Sequence, residues 1–355
     1  MNDYQTAIVL QGGGALGAYE YGVIKALYEE RPGFKPAAVT GVSIGAINAG
    51  LLVGARHDPL EALEEVWRNR FTEILPPPLG ILLGPLATQK VEQCLSTFGN
   101  AGMYQLQQDH LLAPWQRTSI YNLEPLRRTL QELIDGDKLN RSHHTRLVLG
   151  ALNVAKGESE YFDNQDVRLD IEHIVASGSL PPAFPLTPIG GHYYWDGGLF
   201  QNTPLSSAIN CLEQLPTDSR REVIVVELFP AEAPLPTDMA EVMNRIGQLL
   251  FASKLSIDRK LFKTINGIIA FLEKIQPHIP EQFQDDPVYQ ELFVKHKKID
   301  ALTVIVADFP KDQANAGDFS RETIRSRIEL GYEQAKRQHI GRPHPVEPFA
   351  AFRGD

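Results

Sequence analysis

Cysteine is nearly absent from this 355-residue chain. Only Cys94 and Cys211 occur, far apart and in no metal-ligand spacing. That excludes a disulfide framework and a thiolate metal cluster, and it fits a reducing compartment. Basic residues are also in deficit, with 34 Lys and Arg against 44 Asp and Glu for a net charge of -10. Such a balance excludes a nucleic-acid partner, whose phosphates demand clustered cations, and permanent docking on an anionic membrane by charge alone. Long apolar runs are missing too. The longest, from Ile44 to Ala55, is interrupted by Asn48 and is too short to cross a bilayer. Met1-Asn2-Asp3-Tyr4 lacks the basic start of a secretory signal, so the expected location is cytoplasmic. What is present, 43% hydrophobic and 22% charged residues, suffices for a large buried core.

The patterning alternates strands with helices. Ala7 to Leu10 and Ala37 to Val42 are short continuous apolar runs, as expected of strands buried on both faces. Helices are predicted from about Ala15 to Glu30, closed by Pro32-Gly33, and from Ile44 to Ala55. Arg146 to Val154 and Glu160 to Phe162 read as two strands joined at Lys156-Gly157. Tyr193 to Asp196, Val223 to Leu228 and Leu302 to Ala307 supply further strands, and Arg321 to Lys336 a closing helix. This order predicts an α/β fold, a mostly parallel central sheet flanked by helices. Two regions break the alternation. Leu75 to Gly102, rich in Pro and Gly, reads as an irregular insertion. Met239 to Ile275 reads as a helix that either packs as core or serves as a lid, partner face or lipid-contacting element.

Three short motifs carry chemistry. Gly41-Val42-Ser43-Ile44-Gly45 is G-x-S-x-G between a predicted strand and a predicted helix. In that context the serine stands on a sharp turn with its hydroxyl projecting, and the helix start directs free N–H groups at it. Gln11-Gly12-Gly13-Gly14-Ala15-Leu16-Gly17 also lies between strand and helix. It matches a dinucleotide fingerprint, but the next strand ends in Thr40-Gly41-Val42-Ser43 without the acid that would hold a ribose. The other reading is an oxyanion hole built from the N–H groups of Gly12, Gly13 and Gly14; the plainest is a tight turn. Trp195-Asp196-Gly197-Gly198 offers a carboxylate at a strand end. A serine elbow needs a base, usually a histidine. None of the ten histidines sits in a recognisable motif, although His192 could share a strand face with Asp196. Asp196 acting on Ser43 directly needs fewer assumptions. Such a dyad leads one to expect a pH–rate profile without an essential group titrating near the imidazole value of about 6.5.

Taken in order, these motifs resemble the patatin-like phospholipases, and bacterial members in particular. The resemblance rests on Gly12-Gly13-Gly14-x-x-Gly17, Gly41-x-Ser43-x-Gly45, Asp196-Gly197-Gly198, the block Ala176 to Pro185, and Asn202-Thr203-Pro204-Leu205. It covers roughly residues 5 to 230. Asp318-Phe319-Ser320-Arg321 and the following helix are a weaker match, and Met239 to Lys298 has no counterpart. The resemblance implies one three-layer α/β/α domain over residues 1–355, with an inserted helical segment at 239–298 and a closing strand and helix at 300–338. It further implies a Ser43–Asp196 dyad, an acyl-enzyme route that requires no metal or organic cofactor, a lipid or acyl-ester substrate, and transient contact with a membrane surface. Neutral-lipid or short-chain esterase and acyltransferase activities stand as alternatives.

Overall fold

The computed structural model describes residues 4–73, 85–107, 118–141, 145–230, 232 and 235–346. In chain order the strands are β1 Tyr4–Leu10, β2 Ala38–Val42, β3 Gly99–Asn100, β4 Tyr104–Leu106, β5 Tyr121–Asn122, β6 Arg146–Asn153, β7 Glu158–Asp163, β8 Thr187–Ile189, β9 His192–Asp196, β10 Arg220–Glu227 and β11 Ala301–Val306. The helices are α1 Gly17–Glu30, α2 Ile44–Gly54, α3 Pro59–Glu65, α4 Pro85–Ser96, α5 Glu124–Leu133, α6 Gly136–Leu139, α7 Ile171–Ser177, α8 Leu205–Glu213, α9 Met239–Ile275, α10 Pro287–Tyr289 and α11 Arg321–Arg337.

The central sheet runs β11-β10-β1-β2-β6-β9-β8, with β7 paired to β6. From β11 to β6 every pairing is parallel, whereas β7, β8 and β9 run antiparallel to their neighbours. The mostly parallel sheet expected from the sequence is therefore present, and helices cover it on both sides. Its central strands are uninterrupted apolar runs because neither face meets water. β2 is buried at all five positions.

The predicted elements recur with their ends unchanged or moved by no more than three residues. The insertion expected at Leu75 to Gly102 requires correction. Residues 74–84 lie outside the described residues, but Pro85–Ser96 forms helix α4, and Gly99–Asn100 opens a small sheet β3-β4-β5. The prolines and glycines that suggested irregular chain flank this helix instead of interrupting it; Pro85 sits in its first turn, where a missing N–H costs nothing.

Two helices are fixed by backbone-close contact. A Cβ on Gly22 of α1 would lie 2.1 Å from the Ile328 carbonyl, and one on Gly331 of α11 would lie 2.2 Å from that of Tyr19. Asn48, which interrupts the apolar pattern of α2, is fully buried and bridges three elements. Its Nδ2 donates to the Gly17 carbonyl (3.0 Å) and to Glu20 (2.8 Å), and its Oδ1 accepts from Trp67 Nε1 (2.9 Å). Burial holds the Glu20 carboxyl well above the ordinary carboxylate range. Among the described residues, no helix is long and apolar enough to cross a membrane.

Candidate active site

The site forms where β1, β2 and β9 end, and one strand brings the last two together. β6 pairs Gly150 with Val42 of β2 and, one residue later, Ala151 with Asp196 of β9. Ser43, the residue after Val42, thus emerges beside Asp196 although 153 positions separate them in sequence. The loop after β1 is drawn in by the pairing of Leu10 with Gly41.

Ser43 connects β2 to α2 with φ 57° and ψ −125°, a conformation that a side-chain-bearing residue adopts only where its surroundings impose it. The surroundings are tight. A Cβ on Gly41 would come within 2.4 Å of the Gly45 carbonyl oxygen, and one on Gly45 within 2.5 Å of that of Leu10. Glycine is what lets the strand, turn and helix close on each other. The Ser43 N–H is held from behind by Ser177, through its carbonyl (3.1 Å) and its hydroxyl (3.0 Å). Ser177 Oγ in turn donates to the Gly150 carbonyl at 2.6 Å.

The Asp196 carboxyl is buried, with only 2% of the residue exposed. It accepts the Gly198 N–H at 2.7 Å, and the nearby Ser43 hydroxyl also favours its charged form. Burial pushes its pKa from 3.8 up to about 7, against the opposing pull of these two donors. A carboxyl poised there can take a serine proton near neutrality, whereas an ordinary aspartate is too weak a base.

The glycine loop faces the same serine. Gly12 packs so closely that a Cβ would lie 2.9 Å from the Ser43 Cβ. Its N–H, however, donates to the Asn202 carbonyl at 3.2 Å, and its own carbonyl accepts Asn202 Nδ2 at 3.0 Å. Gly12 is thus clamped, and the N–H groups of Gly13 and Gly14 are the ones without a protein acceptor among the described residues. Gly14 has φ +55°, and a Cβ there would strike the Ala316 carbonyl oxygen at 2.6 Å. That same oxygen accepts the Ala15 N–H at 2.8 Å.

A cavity of about 410 Å³ opens over these groups, with Ser43, Asp196, Gly13 and Gly14 among its lining residues. Its walls are largely apolar, including Ile47, Leu126, Phe184, Phe229, Phe251 and Phe319. No described histidine lines it. His192 shares the strand and face of Asp196 but is exposed, and four strand residues place it roughly 13 Å away. His173 caps α7 with Asp170, and His296 contacts Glu213. His110, His143 and His144 lie outside the described residues.

Sequence reasoning attached no role to Ser177, Asn202 or Ala316. The first two lay inside motif blocks quoted for resemblance, so a signal existed; Ala316 had none, because its contribution is a backbone carbonyl.

Comparison with known proteins places these features in a family. No curated protein matches the chain. Among solved structures, VipD from Legionella pneumophila aligns with a TM-score of 0.40 at 15% identity, covering 95% of this chain and 66% of that one. The model of the patatin-like phospholipase family matches residues 8–209, more than half of the chain, including the Gly12–Gly17, Gly41–Gly45, Ala176–Pro185, Asp196–Gly198 and Asn202–Leu205 motifs. The chain belongs to the patatin-like phospholipase family.

Proposed function

We propose that the protein is a serine-dependent lipid acyl hydrolase of the phospholipase A type, working through a Ser43–Asp196 dyad. The observation that carries this reading is the placement of Ser43, on its strained turn, beside the buried Asp196 carboxyl of raised pKa in one apolar cavity. Asp196 removes the hydroxyl proton as Ser43 Oγ attacks the ester carbonyl carbon. The negative oxygen that forms is received by the N–H groups of Gly13 and Gly14, dipoles already aimed before the reaction begins. Collapse breaks the ester bond, and Asp196 returns its proton to the departing alcohol or lysolipid. Water then attacks the acyl-serine, Asp196 again takes the proton, and the fatty acid leaves with Ser43 regenerated. The apolar walls support an acyl chain as the bound portion.

Ser43→Ala removes one hydroxyl and is expected to abolish release of fatty acid from phospholipid vesicles, read by mass spectrometry, with the melting temperature kept. Wild-type turnover in the folded variant contradicts the assignment.

A further inference from the structure

Helix α9 (Met239–Ile275) is 37 residues long, roughly 55 Å at 1.5 Å per residue. It is amphipathic in a way that core packing does not explain. Projected at 3.6 residues per turn, Met239, Ile246, Leu250, Leu261, Ile268 and Phe271 fall within about 80° of one another, and all six are exposed, Leu250 at 64% and Phe271 at 60%. The opposite side carries the buried Ala252, Phe262, Asn266 and Ile269. A helix that only packed on the sheet would present polar residues outward. An exposed apolar stripe of this length marks a contact surface.

Charge and position identify the partner. In a chain of net charge -10, this segment holds six Lys and Arg against three Asp and Glu. The exposed Lys260, Lys263 and Lys274 project along one flank of the stripe, whereas the described acids Glu241 and Glu273 project away from it, on the side of the buried residues. An antiparallel contact with a second copy would set this cationic border against itself. The helix also reaches the cavity: Phe251, next to the exposed Leu250, lines it and packs on Phe229 with ring centroids 5.4 Å apart.

We propose that α9 lies on the surface of an anionic lipid bilayer, its apolar stripe sunk among the acyl chains and its basic border at the headgroups, with Phe251 at the junction between membrane and cavity. The helix is too polar to span and suited to lie in the interface. The inference deepens the lipid-hydrolase reading and rests on it for its purpose, but binding is measured without turnover.

The test is flotation of the full-length Ser43→Ala protein with vesicles of phosphatidylcholine alone or enriched in phosphatidylglycerol. Binding is expected to the anionic vesicles and to weaken with salt. The triple variant Leu250→Asn, Leu261→Asn, Ile268→Asn should lose about tenfold or more in partitioning. Lys260→Gln with Lys263→Gln should lose binding on anionic vesicles only, which keeps the test decisive if the triple variant misfolds. On the wild-type background both variants should hydrolyse a water-soluble short-chain ester at an unchanged rate. If wild type neither releases fatty acid from phospholipid vesicles nor cleaves the soluble ester, the hydrolase reading fails while flotation still judges the helix. The proposal is overturned if the protein does not float, if both variants float like wild type, or if the stripe variants convert a dimer to a monomer in sedimentation.

Discussion

At the scale of single residues, the proposed dyad makes one aspartate responsible for both the pH dependence and a cost in stability. In the proposed dyad Asp196 must be ionised to accept the Ser43 proton, so kcat/KM for a soluble ester is expected to fall as pH drops through about 7. The sequence suggested that a profile without an imidazole-like limb would mark a dyad. The raised carboxyl removes that distinction, because a limb near 7 arises here from Asp196; an unchanged limb in His192→Gln is the informative result. The folded-state pKa of about 7 lies above the ordinary 3.8. As pH rises from about 4 to 7, the unfolded chain releases this proton before the folded one does, so folding stability falls across that window, by on the order of a few kcal/mol in full. Asp196→Asn should therefore lose about 10² to 10⁴ in rate yet melt higher than wild type at pH 8, with the gain fading toward pH 4. A difference in melting temperature that ignores pH contradicts the cause assigned to the shift.

Gly14 is the second residue with a sharp expectation. Its positive φ and the 2.6 Å approach to the Ala316 oxygen leave no room for a methyl group. Gly14→Ala should displace its N–H and lower kcat by up to about 10² to 10³, with KM little changed. A raised KM with kcat intact would make the loop a ground-state binding element.

At the scale of elements, the glycine loop is positioned by a helix from the far end of the chain. Arg327 of α11 is fully buried, and its guanidinium donates to the carbonyls of Gln313 (2.7 and 3.0 Å), Asn315 (2.7 Å) and Asp318 (2.8 Å). Those carbonyls belong to the loop whose Ala316 touches Gly14 and Ala15. Arg327→Met should cost on the order of 3 kcal/mol by leaving buried acceptors unpaired. It should also lower kcat several-fold with a smaller effect on KM, measured by denaturant unfolding and steady-state kinetics together. A stability loss with kcat unchanged would make the contact structural only.

Sequence legibility divides along the same scale. The parallel strands were readable because burial on both faces writes itself as unbroken apolar runs, and Ser43 was readable because the elbow requires flanking glycines. Asp-Gly-Gly gained weight only beside the serine motif, since that triplet alone is an ordinary turn. The pairing of β2 and β9 on consecutive residues of β6 has no local signature. The strands β8 and β3 to β5 are two or three residues long, too short for any periodicity. The clamp on Gly12 has no local signature either, because its partner, the Asn202 carbonyl, is 190 residues away.

At the scale of the whole molecule, the site is assembled from the ends of β1, β2, β6 and β9 and the loop ahead of α11, spanning residues 12 to 319. The central claim is that one serine and one aspartate, with no histidine, supply the reacting groups. The direct measurement is labelling with a fluorophosphonate, read by peptide mass spectrometry across wild type, Asp196→Asn and each of the ten single His→Gln variants. The account predicts one adduct, on Ser43, that is lost in Asp196→Asn and kept in every histidine variant. An adduct on another serine, or its loss in a folded histidine variant, would contradict it.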